Sequence, residues 1–230
     1  MKVRLIVLLT CVWLACGGCP TAPQYVEGNP RARISTTLGE FVIELDQTNA
    51  PLTVQNFQQY VQDGFYDGTL FHRIVPGFVV QGGGFSPGME LKPTRDPIVN
   101  ESNNGLKNVR GSVAMARTDD PASATSQFYV NLANNASLDA TLTSPGYAVF
   151  GQVVEGMTVI DQIAAVPTET RGDFADVPVT DIVIQSVTIE PGERVLSPEW
   201  QTYTQDYQYS VANGLRDVAV EILGALIAGG

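Results

Sequence analysis

The stretch "FHRIVPGFVVQGGG", residues 71–84, decides how this chain is read. It holds two short β-rich runs, Phe71–Val75 and Phe78–Gln81, broken by Pro76–Gly77 and closed by three glycines. Side chains alternate across a strand, so His72 and Arg73 point to opposite faces, and Val79 and Gln81 share one face of the second run. A permanently charged arginine beside a glutamine, which cannot titrate, stands in a segment that otherwise reads as core. From residue types alone Arg73 is either the partner of a structural ion pair or a donor kept for chemistry.

Upstream, "ARISTTLGEFVIELD" (32–46) alternates on both sides of "LGE" and predicts a β-hairpin. "NAPLTVQNFQQYVQDGFYDG" (49–68) sets Val54, Phe57, Tyr60 and Val61 at helical spacing, with Gly64 as the stop. Short β runs follow at "SVAMAR", "SQFYVNL" and "YAVFGQVV", and a second helix is predicted over "GMTVIDQIAAV" (156–166). "DIVIQSVTIE" (181–190) supplies a last strand. Many short strands with two helices predict an antiparallel barrel or sandwich with helical plugs rather than βαβ winding. After residue 190, Val211, Leu215, Val218, Ile222 and Leu226 recur at spacings of three and four, which predicts a C-terminal amphipathic helix. Its charges, Arg216, Asp217 and Glu221, speak against a membrane span.

Residues 1–19 begin with Lys2 and Arg4, continue through a short apolar run and end in small residues, the layout of an export signal. All three cysteines, Cys11, Cys16 and Cys19, lie there, so the body has no internal disulfide and its stability rests on packing. "LACGGC" is similar to a bacterial lipoprotein box, making Cys16 or Cys19 the candidate for lipidation; plain secretion is the alternative. The formal charge is −11, and −13 once the two leader cations are removed, a surface that repels nucleic acid. The expected organisation is a signal at 1–19, a Pro-rich spacer at 20–30, one domain over 31–190 and an extension over 191–230.

Several chemistries lack their parts. His72 is the only histidine, so a zinc site or a histidine-based triad has neither ligands nor base, and no metal is expected. Asp119 and Asp120 sit in the turn composition "RTDDPASATS", and Gly82–Gly84 lack the lysine and hydroxyl of a phosphate loop. In "ATSQFYVN", however, Gln127 and Tyr129 share a face, so a guanidinium, two amides and apolar rings can surround one groove.

At this point the motifs "FHRIVPGFVVQGG", "NGLKNVRGSVAMARTDDPASATSQFYVNL", "LDATLTSPGYAVFGQVVEGMTVIDQI" and "APLTVQNFQQYVQDGFYDGTLFHR" can be read together. They resemble cyclophilins, the peptidyl-prolyl cis-trans isomerases, and most of all their bacterial periplasmic branch, in order from about Ala32 to Glu190. The resemblance implies a closed eight-stranded antiparallel β-barrel capped by two helices, a cofactor-free isomerase, and proline-containing polypeptides as substrates. It makes Arg73 the catalytic arginine and Gln81 the residue that orients it. Phe78, Val79, Phe128, Tyr129 and Leu138 would line the proline pocket, with Ala116, Arg117 and Gln127 along the peptide groove and Tyr147 on the rim. The family commonly has Met at position 79, Phe at 129, an aromatic at 137 and often His at 147. Val79, Tyr129, Ser137 and Tyr147 here change pocket width and polarity and alter the aromatic rim on which cyclosporin leans. With the leader, the resemblance implies an enzyme of the bacterial envelope, periplasmic and lipid-anchored. A module that holds proline-containing segments without turning them over, and a scaffold built on the tail, are the competing readings; retention of Arg73 beside Gln81 favours catalysis.

Overall fold

The computed structural model describes residues 25–197 and 201–202. The leader and the predicted C-terminal helix with Val211, Leu215, Val218, Ile222 and Leu226 lie outside the described residues. In chain order the elements are β1 (Tyr25–Glu27), β2 (Arg31–Thr36), β3 (Gly39–Leu45), α1 (Pro51–Gln62), β4 (Phe71–Val75), β5 (Val79–Gly82), β6 (Phe85–Ser86), β7 (Glu90–Leu91), β8 (Ser112–Met115), β9 (Phe128–Asn131), β10 (Val149–Glu155), α2 (Met157–Ala164), β11 (Thr168–Arg171), β12 (Phe174–Pro178), β13 (Ile184–Glu190) and β14 (Arg194–Leu196). They fall into two compact units. One contains β1 and β14, which pair antiparallel with Tyr25 opposite Leu196. The other spans Asn29–Glu193 and contains everything that follows.

Eight strands of this larger unit form one antiparallel sheet in the order β13-β2-β3-β10-β8-β9-β5-β4. The hairpin predicted at "LGE" turns at Thr37–Leu38, with Thr36 opposite Gly39. Alternation is plain in β2, where Ala32, Ile34 and Thr36 are buried and Arg31, Arg33 and Ser35 are not. Its outer face is tied to neighbouring strands by ion pairs, Arg31 to Glu44 at 3.4 Å and Arg33 to Glu190 at 2.7 Å.

The expected closed barrel is an open one. Its outermost strands, β13 and β4, share no ladder; the segments leading into them meet at one bridge, Leu70 to Val183. Three backbone hydrogen bonds join there, from the Phe71 N–H to the Ile182 carbonyl at 2.9 Å, from Gly68 to Ile184 at 2.8 Å, and from Ile184 to Thr69 at 2.7 Å. Beyond that seam β4 lies against β12 of a separate two-stranded hairpin, β11–β12. The flank of β4 is therefore covered rather than zipped, which protects it as an edge strand must be protected.

Helix α1 plugs the interior through Val54, Phe57 and Tyr60. The Phe57 ring meets Tyr66 at 5.1 Å, Phe150 at 5.4 Å and Phe128 at 5.7 Å, the last edge-on, a favourable arrangement for aromatic quadrupoles. The helix lacks a side-chain cap of its own, because its N-cap is Ala50. Glu101, distant in sequence, supplies one: its carboxylate accepts from the Leu52 N–H at 3.1 Å, the Thr53 N–H at 2.7 Å and the Thr53 hydroxyl at 2.6 Å. A negative charge there also suits the positive end of the helix dipole. At the other end Gly64 takes φ +63°, and the Phe65 N–H returns to the Tyr60 carbonyl, the left-handed stop for which glycine is suited. Helix α2 buries Ile160 and Ile163.

A candidate proline-binding groove on the outer face

The face of the sheet opposite the aromatic interior carries a row of side chains set by register. Arg73 of β4 stands opposite Gln81 of β5, Gln81 opposite Tyr129 of β9, Tyr129 opposite Ala114 of β8, and Ala114 opposite Val149 of β10. Period-two alternation keeps all five on one side. Arg73 Nη1 donates to Gln81 Oε1 at 3.5 Å, and Gln81 Nε2 donates to Gln127 Oε1 at 3.0 Å. The three polar groups thus form a chain along one side of the row. Gln127 can lie there because Gly84 has no side chain: a Cβ on Gly84 would come within 2.5 Å of Gln127 Cγ. The glycine run is thus a place where side chains pack closely against the backbone.

Beside this chain lies an apolar cluster separate from the interior. Val79, Ala114, Tyr129 and Val149 are buried in it, and Phe78, Leu106, Ala116, Leu138 and Tyr147 pack around them partly exposed. Phe78 joins its neighbour Val79 on this face because it precedes β5, in the turn after Pro76–Gly77. Arg117 and Tyr147 form one wall, the guanidinium 4.3 Å from the ring centre and bonded to the carbonyls of Thr118 at 2.8 Å and Pro145 at 3.1 Å.

One expected pocket residue is elsewhere. Phe128 is fully buried among Phe57, Tyr66 and Phe71 on the inner side of the sheet. It follows Gln127 and precedes Tyr129, both of which face the groove, so alternation in β9 forces it inward. Of the other expected residues, Arg73, Gln81, Gln127, Phe78, Val79, Ala116, Tyr129, Leu138, Arg117 and Tyr147 are brought together on the outer face.

A polar network that sequence reading missed lies under the cluster. The Tyr129 hydroxyl donates to Asn108 Oδ1 at 2.9 Å, and Asn131 Nδ2 donates to the same oxygen at 3.2 Å. Asn135 Nδ2 donates to Asn131 Oδ1 at 2.7 Å and to the Phe78 carbonyl at 2.9 Å. Asp139 Oδ1 accepts from the Asn108 N–H at 2.8 Å and from its amide at 3.1 Å. Burial works against the Asp139 charge, but these bonds and Lys107 outweigh it and hold the carboxyl below its usual range. Burial pushes the Tyr129 phenol well above its ordinary value, so it stays a neutral donor. The network fixes the Phe78 backbone and the Tyr129 ring. Its only trace in the sequence is the density of Asn residues in "KNVRG" and "NLANNAS", which also suits plain turns.

His72, on the other face of β4, is 5 % exposed, with its ring 4.6 Å from that of Phe85. Its Nδ1 has no hydrogen-bond partner, and burial lowers its pKa to about 4. It is a neutral buried ring, away from the groove. The ion-pair reading of Arg73 does find a carboxylate: Asp176 Oδ2 lies 3.9 Å from Arg73 Nε, with both side chains about two-fifths exposed (39 % and 42 %). No group of three or more metal-ligating acids, histidines or cysteines exists among the described residues.

Comparison with known proteins adds an independent line. Residues 31–189 match the family model described as cyclophilin type peptidyl-prolyl cis-trans isomerase/CLD. A peptidyl-prolyl cis-trans isomerase of Acinetobacter baylyi is 51 % identical over 162 residues, covering 70 % of this chain and 86 % of the relative. Peptidyl-prolyl cis-trans isomerase A of Dickeya dadantii is 53 % identical over 156 residues, covering 68 % of this chain and 82 % of the relative. Among solved structures, a cyclophilin type peptidyl-prolyl cis-trans isomerase of Cryptosporidium parvum superposes with a TM-score of 0.56 at 26 % identity, over 70 % of this chain and 98 % of its own.

Proposed function

The chain belongs to the cyclophilin-type peptidyl-prolyl cis-trans isomerase family and is such an isomerase, and from that premise we propose that the outer-face groove is its active site, with Arg73 as the catalytic residue. The observation that carries the proposal is the Arg73–Gln81–Gln127 chain laid directly beside the Phe78–Val79–Tyr129 apolar cluster.

Rotation about a peptide bond is opposed by about 18–20 kcal/mol, because the nitrogen lone pair is delocalised into the carbonyl. X–Pro bonds left alone therefore isomerise over roughly tens to hundreds of seconds. In the twisted state that lone pair is localised and becomes a hydrogen-bond acceptor. A donor aimed at it binds the twisted state better than either planar form, which is catalysis by differential binding. Arg73 is that donor. Gln81 and Gln127 hold it from one side, and a preorganised donor of this kind is worth about 3–4 kcal/mol, or roughly 10²–10³ in rate. Phe78, Val79, Tyr129 and Leu138 grip the proline ring and strip water from the amide. Ala116, Arg117 and Gln127 line the path of the peptide, and Tyr147 closes its rim. Nothing in this scheme needs a cofactor or a titrating acid or base.

The substrates we assign are X–Pro segments of exported proteins in the bacterial envelope. The support is the leader: Lys2 and Arg4, a short apolar run, and "LACGGC". In this reading Cys16 or Cys19 becomes a lipidated N-terminus, and the protein is periplasmic and tethered to a membrane. No helix among the described residues is long and apolar enough to cross a membrane. Mass spectrometry of the mature protein tests the tether; an unmodified N-terminus downstream of Cys19 refutes it. For the site, a coupled assay on a short X–Pro peptide compares the wild-type protein with Arg73→Ala, and unchanged turnover by a folded variant refutes the assignment.

A further inference from the structure

The β11–β12 hairpin does more than cover the flank of β4. One position of β12 meets β4 directly and another meets it through Phe85 of β6. The Phe174 ring packs edge-on to Phe85 at 5.3 Å, and Phe85 in turn lies against His72. Two residues beyond Phe174, Asp176 turns its carboxylate to Nε of Arg73 at 3.9 Å. That separation is too long for a hydrogen bond but short enough for charge attraction between partly exposed groups. The hairpin is itself held in place: Arg171 donates to Asp181 at 2.9 Å and to the Pro178 carbonyl at 3.0 Å.

Asp176 has φ +61°, one of two non-glycine residues among the described residues in the left-handed region, the other being Met89. Aspartate tolerates that conformation better than most side chains, though less freely than glycine. A backbone strained at the position where a carboxylate reaches the proposed catalytic guanidinium is the kind of outlier that points to function. The guanidinium is thereby approached from two directions, by Gln81 Oε1 at Nη1 and by Asp176 at Nε. Nη2 has no acceptor among the described residues, which leaves it to the substrate.

We propose that Asp176 is a positioning residue for the isomerisation: its carboxylate, with the Gln81 amide, fixes the plane of the Arg73 guanidinium so that Nη2 addresses the twisted amide. This rests on the reading of Arg73 as the catalytic donor. Asp176 touches no substrate in this scheme; it acts through Arg73, and its benefit appears only where Arg73 does.

The test is Asp176→Asn, which keeps the size and tolerates the left-handed backbone but removes the charge. Because the pair is partly exposed, the expected loss in kcat is modest, about three- to tenfold, with KM and thermal stability little changed. Raising the salt concentration should slow the wild-type protein toward the variant and leave the variant unaffected. Asp176→Gly, which relieves the backbone, should be at least as stable as wild type and equally slow. In an Arg73→Ala background Asp176→Asn should have no further effect. Wild-type kcat and unaltered salt dependence in Asp176→Asn overturn the proposal, as does an undiminished effect in the Arg73→Ala background. Full activity of Arg73→Ala sinks the Arg73 reading itself, whereas an inactive Arg73→Ala beside a normal Asp176→Asn sinks only the role of Asp176.

Discussion

Phe128 and Tyr129 are consecutive in β9 yet serve opposite sides of the sheet. Phe128 is fully buried against Phe57 and Tyr66, while the Tyr129 hydroxyl reaches Asn108 at 2.9 Å beneath the groove. Substitutions on the two sides should therefore separate stability from activity. Phe128→Ala leaves a cavity in a close-packed aromatic core and should destabilise by about 3–5 kcal/mol. Phe78→Ala, on the partly exposed rim, should leave denaturant unfolding nearly unchanged while KM for an X–Pro peptide rises. The reverse pattern would mean that the two faces have been assigned wrongly.

Arg73→Ala should lower kcat/KM by about two orders of magnitude while circular dichroism and thermal unfolding show the fold intact, because the donor proposed for this side chain acts only in the twisted state. In the proposed role Arg73→Lys should recover little, since an ammonium lacks a planar fork able to bond Gln81 and a substrate together.

Activity and stability should respond differently to pH. Arginine and glutamine do not titrate near neutrality, so turnover should be nearly flat from about pH 6 to pH 9. Stability should fall toward acid pH, and His72, whose folded pKa burial lowers to about 4 against an ordinary 6.5, contributes the upper part of that fall. Above 6.5 both folded and unfolded chains hold it neutral, and its contribution is fully present. As pH falls from 6.5 toward 4 the unfolded chain takes up a proton that the folded chain does not, so stability declines by up to about 3 kcal/mol. Asp139, held below its usual range, adds to the loss as pH falls further through the carboxylate range. His72→Gln, if folded, should flatten the upper part of that decline in urea unfolding curves. A bell-shaped activity profile with the fold intact would reveal a titrating group in the groove.

Glu101→Ala removes the acceptor shared by the Leu52 and Thr53 N–H groups at the start of α1. The expected loss is about 1–2 kcal/mol, in line with removal of a helix cap. Hydrogen exchange should quicken first in that turn of the helix; unchanged protection there would show that Pro51 and packing alone hold it.

Much of this was legible in the sequence because it rests on period. The spacing of Val54, Phe57 and Tyr60 gave α1, and the alternation in 32–46 gave the β2–β3 hairpin. Val79 with Gln81, and Gln127 with Tyr129, could each be placed on one face because the members of each pair lie two residues apart, whereas only the sheet register sets Arg73 opposite Gln81 and Gln81 opposite Tyr129. The same rule, applied to Phe128 beside Tyr129, sends it inward, against its place in the pocket implied by the family resemblance. Asn108, Asp139 and Asp176 carried no such signal, since loop residues have no period to read.

Local period in the chain is therefore enough for the eight strands of the large sheet, for α1 and α2, and for the family, but the short strands β1, β6, β7, β11, β12 and β14 carry no such pattern. Tertiary structure decided which distant residues complete those elements. Glu101 caps a helix about fifty residues before it, the Asn108 network fixes Phe78 and Tyr129, and Asp176 reaches Arg73 from a hairpin roughly a hundred residues later in the chain. It also decided that the sheet stays open at the Leu70–Val183 seam. The physical reason is that backbone alternation acts between neighbours in the chain, whereas a hydrogen bond or a charge contact exists only once folding has brought its two ends together.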